Sequence, residues 1–355
     1  MTHVLMPVRT VADWGGLHEW ALTAVGDLIA EGHTVTVAGG PGRFKDTVVA
    51  AGAGFIEVDW VDWQAAVDPC LVDRSWDKIF SHGPLASNLA RALRRRTGAP
   101  IYHMIHGSYL DHINHWSHEL ECLLVASPAI QDFVVRIGKV EPWKVAVVAN
   151  GAPDRVFELP LVRLAEKLAE ERPVVATAAR LAKDKLPQID PTISLVQGIS
   201  EVLDGRPLEL MVMGDGPEKT LFESRLREGV PETVELNFVG WVDHDEVPRI
   251  FNRALATCTA GMGATRAVAA GTLTLAVGAQ GSVGLQAGRN LRAGLWSNFG
   301  DHGCPRFTPT DLRSDIERAL VGGVHDDIVA RARSGCHFHR NQTHVRQQML
   351  DALDL

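Results

Sequence analysis

Short apolar runs alternate with amphipathic stretches along the whole chain, and this rhythm constrains the fold more than any other feature of the sequence. Apolar runs bounded by turn residues suit buried strands, and the stretches between them suit helices that cover a parallel sheet. The first series places strands near residues 3–8, 33–38, 78–81, 101–105, 123–126 and 145–148, with helices near 17–31, 87–96 and 128–137. The rhythm stops after Asn150-Gly151, where residues 153–172 are mixed and charged and read as a linker with a short helix. A second series follows, with strands near 174–178, 208–213, 235–239, 254–257 and 272–277. A chain of 355 residues exceeds one ordinary core, and about 150 residues per domain suggests two. The expected class is α/β, with two Rossmann-like domains facing across a central cleft and ligands at the carboxyl ends of the strands.

Charge and composition narrow the functions open to such a chain. Lys and Arg total 35 against 43 Asp and Glu, a formal charge of −8. Neither a general nucleic-acid binder nor a protein held on an anionic membrane by its charge fits that balance. The run Arg94-Arg95-Arg96, with Arg91 one turn earlier, reads as a solvated helix C-terminus. The N-terminus lacks the basic start and apolar core of a secretion signal, and no stretch approaches about 18 apolar residues. Five scattered cysteines without a Cys-x-x-Cys pair read as reduced thiols in a cytoplasmic protein. Abundant Arg, Ala, Gly and Val suit a GC-rich bacterial source. Oligomeric state cannot be read from these features.

Four segments carry chemistry. Gly15-Gly16, followed by Leu17 and His18, lies between the first strand and first helix, where backbone amides form an anion site. The same pair also suits a plain turn, and His18 a helix surface. Arg180 and Lys185 follow the first strand of the second series; two cations there can clamp a diphosphate and steady a leaving group. An ordinary basic loop is the alternative. Gly214-Asp215-Gly216-Pro217 closes the next strand, and Gly240-Trp241-Val242 closes the one after. The latter offers apolar and backbone groups to a nucleotide base.

Taken in order, these segments resemble the family 4 glycosyltransferases, retaining enzymes of the GT-B fold. The landmarks are Gly15-Gly16, Glu31-Gly32-His33, His82-Gly83, His106-Gly107, Asn150-Gly151-Ala152 with Phe157, Arg180 to Lys185, Gly214 to Pro217 and Gly240 to Val242. Ala267 to Gly271 and the glycine-rich stretch 278–283 continue the series. The resemblance implies an acceptor-side domain over 1–155, a nucleotide-sugar domain over 172–335, and a final helix, 340–355, packing back on the first domain. It implies a hexosyltransferase-type enzyme using a UDP- or GDP-sugar as co-substrate, with no cofactor and no metal. Arg180, Lys185 and His106 would be catalytic. Gly15, Gly16, Gly214, Asp215, Gly216, Trp241, Val242, Cys258, Gly261, Met262, Gly263 and Arg266 would bind donor. His18 and His112 would face a small polar acceptor such as a secondary metabolite or a thiol.

One departure stands out. The family carries two glutamates eight positions apart, and a gap-free alignment puts Cys258 and Arg266 there, with Gly261, Met262 and Gly263 between. A carboxylate accepts ribose hydrogen bonds, whereas guanidinium only donates. The donor site is therefore remodelled, or the chain is a non-catalytic sugar-nucleotide binder; a sugar-nucleotide epimerase is a third reading. With no carboxylate placed as nucleophile, the resemblance favours a same-face mechanism in which the leaving phosphate takes the acceptor proton. His112, His115 and His118 could share a helix face and, with Asp111, suggest a metal site; acceptor contacts and a plain polar face are the alternatives. Cys336, His337 and His339 cluster nearer the end, but their spacing fits no zinc pattern.

Overall fold

The computed structural model describes residues 1–10, 14–71 and 75–355. The chain divides into two compact units, residues 1–148 with 346–355, and residues 149–345. In the first unit seven strands form one sheet: β1 (His3–Val8), β2 (Thr34–Gly39), β3 (Gly54–Glu57), β4 (Lys78–His82), β5 (Ile101–Ile105), β6 (Leu120–Val125) and β7 (Val145–Val147). Their order is β3-β2-β1-β4-β5-β6-β7, and every pairing is parallel. The central strands are apolar on both faces; β5 is buried at all five positions. That is the pattern of a sheet covered on both sides.

The second unit carries β8 (Val174–Ala178), β9 (Leu208–Met213), β10 (Val234–Gly240), β11 (Ala256–Thr259), β12 (Leu273–Gly278) and β13 (Gly281–Leu285). Their order is β10-β9-β8-β11-β12-β13, parallel except for the β12–β13 hairpin. Its main core gathers Val175, Leu195, Leu210, Val212, Leu255, Leu273 and Leu275 beneath helix Ile189–Val202.

Most expected strands lie within a few residues of their observed bounds. Two strands have no counterpart in the sequence reading. β3 is an edge strand with only Ile56 buried, so it shows no apolar run. β13 reads in sequence as a glycine loop because Gly281 and Gly284 interrupt it; both have positive φ, at 109° and 78°. The linker holds two four-residue helices, Asp154–Phe157 and Leu164–Lys167.

Helix starts follow capping chemistry. Buried Ser127 precedes Pro128 and accepts the Ile130 N–H at 3.2 Å, starting helix Pro128–Arg136. Ser127→Ala should cost about 1 kcal/mol, read as a lower urea midpoint with an unchanged slope. An unchanged midpoint would mean that the cap contributes nothing.

Candidate functional site

Each parallel sheet reverses its winding once, and open α/β sheets bind ligands outside the strand ends at that reversal. In the second unit the reversal lies between β8 and β11. The chain leaving β8 carries Arg180 and Lys185, and the chain leaving β11 enters helix Gly261–Ala269. The first helical bond from this start runs from Ala264 N to Ala260 O, at 3.1 Å. The N–H groups of Gly261, Met262 and Gly263 therefore precede the helical ladder and point out of the helix start. The N-cap residue, Ala260, offers them no side-chain cap.

Arg180 donates to Asp184 at 3.0 Å, and Lys185 donates to Asp301 at 3.2 Å. Asp301 also accepts the Ala279 N–H at 3.4 Å. It stands so close to the helix start that a Cβ on Gly261 would lie 2.2 Å from its Oδ2. Asp301 thus occupies the space between Lys185 and the helix N-terminus. It sits 116 positions from Lys185, in a stretch without a motif, and the sequence reading missed it.

The loop presenting Asp301 is firmly built. Asn298, Phe299 and Gly300 all have positive φ, between 52° and 89°. Asn150 donates to the Asn298 side chain at 3.1 Å, and the Ser297 hydroxyl accepts the Gly300 N–H. The buried guanidinium of Arg340 packs over the Phe299 ring and donates to Leu295 O at 2.7 Å. The landmark Asn150 therefore braces the loop that carries Asp301.

The glycine turn after β9 is packing chemistry. Gly214 N–H donates to Gly240 O at 2.7 Å, and Leu181 N–H donates to Asp215 O at 3.0 Å. Asp215 accepts the N–H of Gly216 at 2.8 Å, and the Lys219 ammonium lies 3.5 Å away. These bonds lace the exits of β8, β9 and β10 together. Trp241 is 61% exposed, and Val242 packs on the core formed by Phe251, Ala254 and Ala267.

Two expected ligand contacts are corrected by burial. Strand β11 runs through Thr259, so Cys258 lies inside the sheet. Its thiol is fully buried in the main core, and burial pushes its pKa up to about 12. A donor-contacting side chain has to stand past the strand end, which the gap-free placement misses by two residues. His18 was expected to face acceptor. Its ring is 3% exposed, stacked on Trp14 at 5.5 Å and edge-on to Phe44 at 5.0 Å. That is the packing of a core aromatic.

Arg266 sits near the end of helix Gly261–Ala269 and is 8% exposed. It lines a hollow of about 340 Å³ with Pro153, Arg155, His244, Asp245 and Arg249 among its neighbours. One guanidinium nitrogen lies 2.9 Å from His244 Nε2. Guanidinium can only donate, so this His244 nitrogen accepts and the imidazole proton sits on Nδ1. Arg155 and Asp245 form an ion pair on the rim.

In the first unit the reversal lies between β1 and β4. Gly83 just past β4 has φ +84°, and a Cβ there would meet Arg9 O at 2.4 Å, so the exits of the two strands cross backbone to backbone. A Cβ on Gly15 would meet nothing within 4 Å, and its φ of 173° is extended. Packing among the described residues does not demand glycine there. His82 ends β4 and His106 follows β5; His82 Nδ1 lies 3.2 Å from His106 Nε2. His112 is exposed with φ 52° and precedes a helix of four residues, Ile113–Trp116. A separate turn, Ser117–Glu119, carries His118, so the three histidines do not share one long helix face. Among the described residues no group of three or more His, Cys, Asp or Glu side chains could hold a metal ion. No helix among them is long and apolar enough to cross a membrane.

No family model matches the chain, and no curated protein matches it in sequence. Its backbone, in contrast, is similar end to end to solved glycosyltransferases. A glycosyltransferase from Rickettsia africae matches with a TM-score of 0.75 and 13% identity, covering 99% of this chain and 98% of its own. HepE from Anabaena, in complex with UDP and glucose, matches at 0.70 with 14% identity and full coverage of both chains. Sucrose-phosphate synthase from Thermosynechococcus elongatus matches at 0.66 with 15% identity, covering 98% of this chain and 97% of its own. The fold is the two-domain α/β fold of the GT-B glycosyltransferases.

Proposed function

We propose that the chain is a glycosyltransferase that moves a hexose from a UDP- or GDP-sugar to a small polar acceptor, with retention of configuration. The observation that supports this reading is Lys185 beside the start of helix Gly261–Ala269, through Asp301, with Arg180 on the same exit from β8 at the winding reversal of the second sheet. Backbone N–H groups and two cations at one point suit a diphosphate. The carboxylates now beside these cations do not block it. The Arg180–Asp184 pair is largely exposed and the Lys185–Asp301 pair is part-buried; a diphosphate carrying more charge than a single carboxylate competes with both. The similar Anabaena protein is known in complex with UDP and with UDP-glucose, which supports the same ligand class here.

In this reading Arg180 and Lys185 neutralise the diphosphate as the glycosidic bond lengthens, which is the charge that a metal ion otherwise supplies. The leaving phosphate takes the acceptor proton on the same face. Gly15 and Gly16 admit the donor close to the backbone, and His106 contacts the sugar. Ribose recognition shifts from a carboxylate at position 266 to the groups around the Arg266 hollow. Membership of family 4 itself remains part of this proposal.

Calorimetric titration with UDP, GDP and ADP tests it. One nucleotide should bind, and the Arg180→Ala, Lys185→Ala double variant should bind it at least about a hundredfold more weakly, since each charge-assisted bond contributes about 1.5–3 kcal/mol. No binding of any nucleotide would end the proposal. Binding without turnover of any donor sugar would leave a sugar-nucleotide binder.

A further inference from the structure

Asp301 reaches the proposed diphosphate site from a loop anchored at the end of β12. That strand closes on Gly278, and a Cβ there would overlap the Gly300 carbonyl carbon and the Asp301 nitrogen. The loop backbone therefore lies directly against the strand end. Gln280 N–H donates to Gly300 O at 3.0 Å, Asp301 N–H to Asn298 O at 3.3 Å, and His302 N–H to Ser297 O at 2.8 Å. A backbone held at this many points does not carry Asp301 away. Side-chain rotation can swing the carboxylate by a few ångströms, but its charge stays in the neighbourhood.

That carboxylate engages the same groups that the functional reading assigns to the diphosphate. Its Oδ1 accepts from the Lys185 ammonium at 3.2 Å and from the Ala279 N–H at 3.4 Å. Its Oδ2 stands against Gly261, the first residue of helix Gly261–Ala269. Lys185 has a second acidic neighbour, Asp184, at 3.8 Å. Asp184 shares the short helix Lys183–Gln188 with Lys185 and accepts from Arg180, whereas Asp301 comes from a different element. The Lys185 and Asp301 side chains are only 21% and 24% exposed, so little water separates the two charges.

An anion that takes over Lys185 therefore binds within a few ångströms of a fixed negative charge. Salt screens charges only beyond about 8–10 Å, so it does not remove repulsion at this range. The repulsion grows with the charge that the ligand brings. A free nucleoside diphosphate ends in a phosphate carrying up to about two negative charges. A sugar on that phosphate caps one oxygen and leaves a single charge. Arg180 and Lys185 attract both forms. Asp301 opposes the uncapped one more.

We propose that Asp301 is a specificity-determining residue: its charge, held beside Lys185 and the start of helix Gly261–Ala269, disfavours a free nucleoside diphosphate more than one capped by a sugar. It shifts the balance of the site towards intact donor and away from spent nucleotide. The inference rests on the function proposed above, because it concerns the same ligands.

Calorimetry at about pH 8 tests this with two probes: whichever of UDP, GDP and ADP binds the wild type, and the same nucleotide carrying a methyl ester on its terminal phosphate. The methyl cap removes one charge without committing to a sugar. Asp301→Asn removes the carboxylate charge but keeps an acceptor for the Ala279 N–H. Affinity for the uncapped nucleotide should rise by about tenfold or more. The capped form should gain less, so that the ratio of the two dissociation constants shifts by about fivefold. Asp301→Ala, at the same partly exposed position, should give the same shift and decides the matter if the first variant folds poorly. Equal gains for both probes would reduce Asp301 to a competing anion, and equal losses would make it part of the scaffold; either overturns the proposal. If no nucleotide binds the wild type, the functional reading itself falls. Nucleotide binding with an unmoved ratio sinks this inference alone.

Discussion

Gly214→Ala is expected to destabilise the second unit by about 3 kcal/mol or more, and to weaken nucleotide binding with it. A Cβ at Gly214 would stand 1.9 Å from the carbonyl oxygen of Ala179 and 3.0 Å from its carbon. Backbone atoms cannot rotate out of the way as a side chain can, so one loop has to move. The residue also has φ +130°, a conformation that alanine rarely adopts. Relief would push the exit of β8 away from the exit of β9, stretching the Ala179 N–H to Met213 O and Leu181 N–H to Asp215 O bonds. Arg180 lies between those two donors, so the same movement displaces a cation of the proposed diphosphate site. Gly205→Ala provides the control. Gly205 has φ +72°, but a Cβ there meets nothing within 4 Å, so it should cost only about 1 kcal/mol of backbone strain. Urea unfolding of both variants decides the matter. Equal losses would mean that the approach of Ala179 contributes nothing beyond φ.

That glycine shows which parts of this protein are legible in its sequence. Gly214 to Pro217 stands out as a landmark, but its visible character is a turn, and the reason for it lies in Ala179 and Leu181 on another strand. Central strands such as β5 and β8 were readable because burial on both faces leaves an unbroken apolar run. β3 and β13 were not, since an edge strand with one buried residue, or a hairpin arm broken by two glycines, writes no such run. Arg180 and Lys185 were readable from local spacing after a strand. Asp301 was not, because its place beside Lys185 and Gly261 depends on three consecutive positive φ angles and a brace from Asn150. Cys258 shows the limit of counting along a motif. Once a strand holds a position, alternation sends the side chain into the core whatever the alignment suggests. His18 fails for a related reason: a residue next to a glycine loop can still face inwards on the first turn of a helix.

Mild acid should unfold the first unit, with stability falling between pH 6.5 and 5, before ordinary carboxylates titrate. Burial is the main cause that lowers the pKa of His103, to about 4, and the Asp111 charge and the Ser81 hydrogen bond oppose it only in part. His82 is also held well below the ordinary histidine value of 6.5, again chiefly by burial. Below pH 6.5 the unfolded chain binds these protons and the folded chain does not. The stabilisation is therefore complete above 6.5 and is lost as pH falls towards the folded-state value. His103 costs about 1.4 kcal/mol per pH unit in this window, so it removes about 3 kcal/mol by pH 4, and His82 acts in the same direction. Against a typical total of about 5–15 kcal/mol, the loss from two histidines is decisive. Urea midpoints at pH 7.5, 6.5, 5.5 and 5 should fall steadily for the wild type. His103→Asn can keep a hydrogen bond to Ser81 but cannot titrate, so its midpoint, whatever its value at pH 7.5, should fall less steeply. A wild-type midpoint that stays level down to pH 5, or a variant slope equal to the wild type, would show that these buried rings take up protons without unfolding the sheet around them.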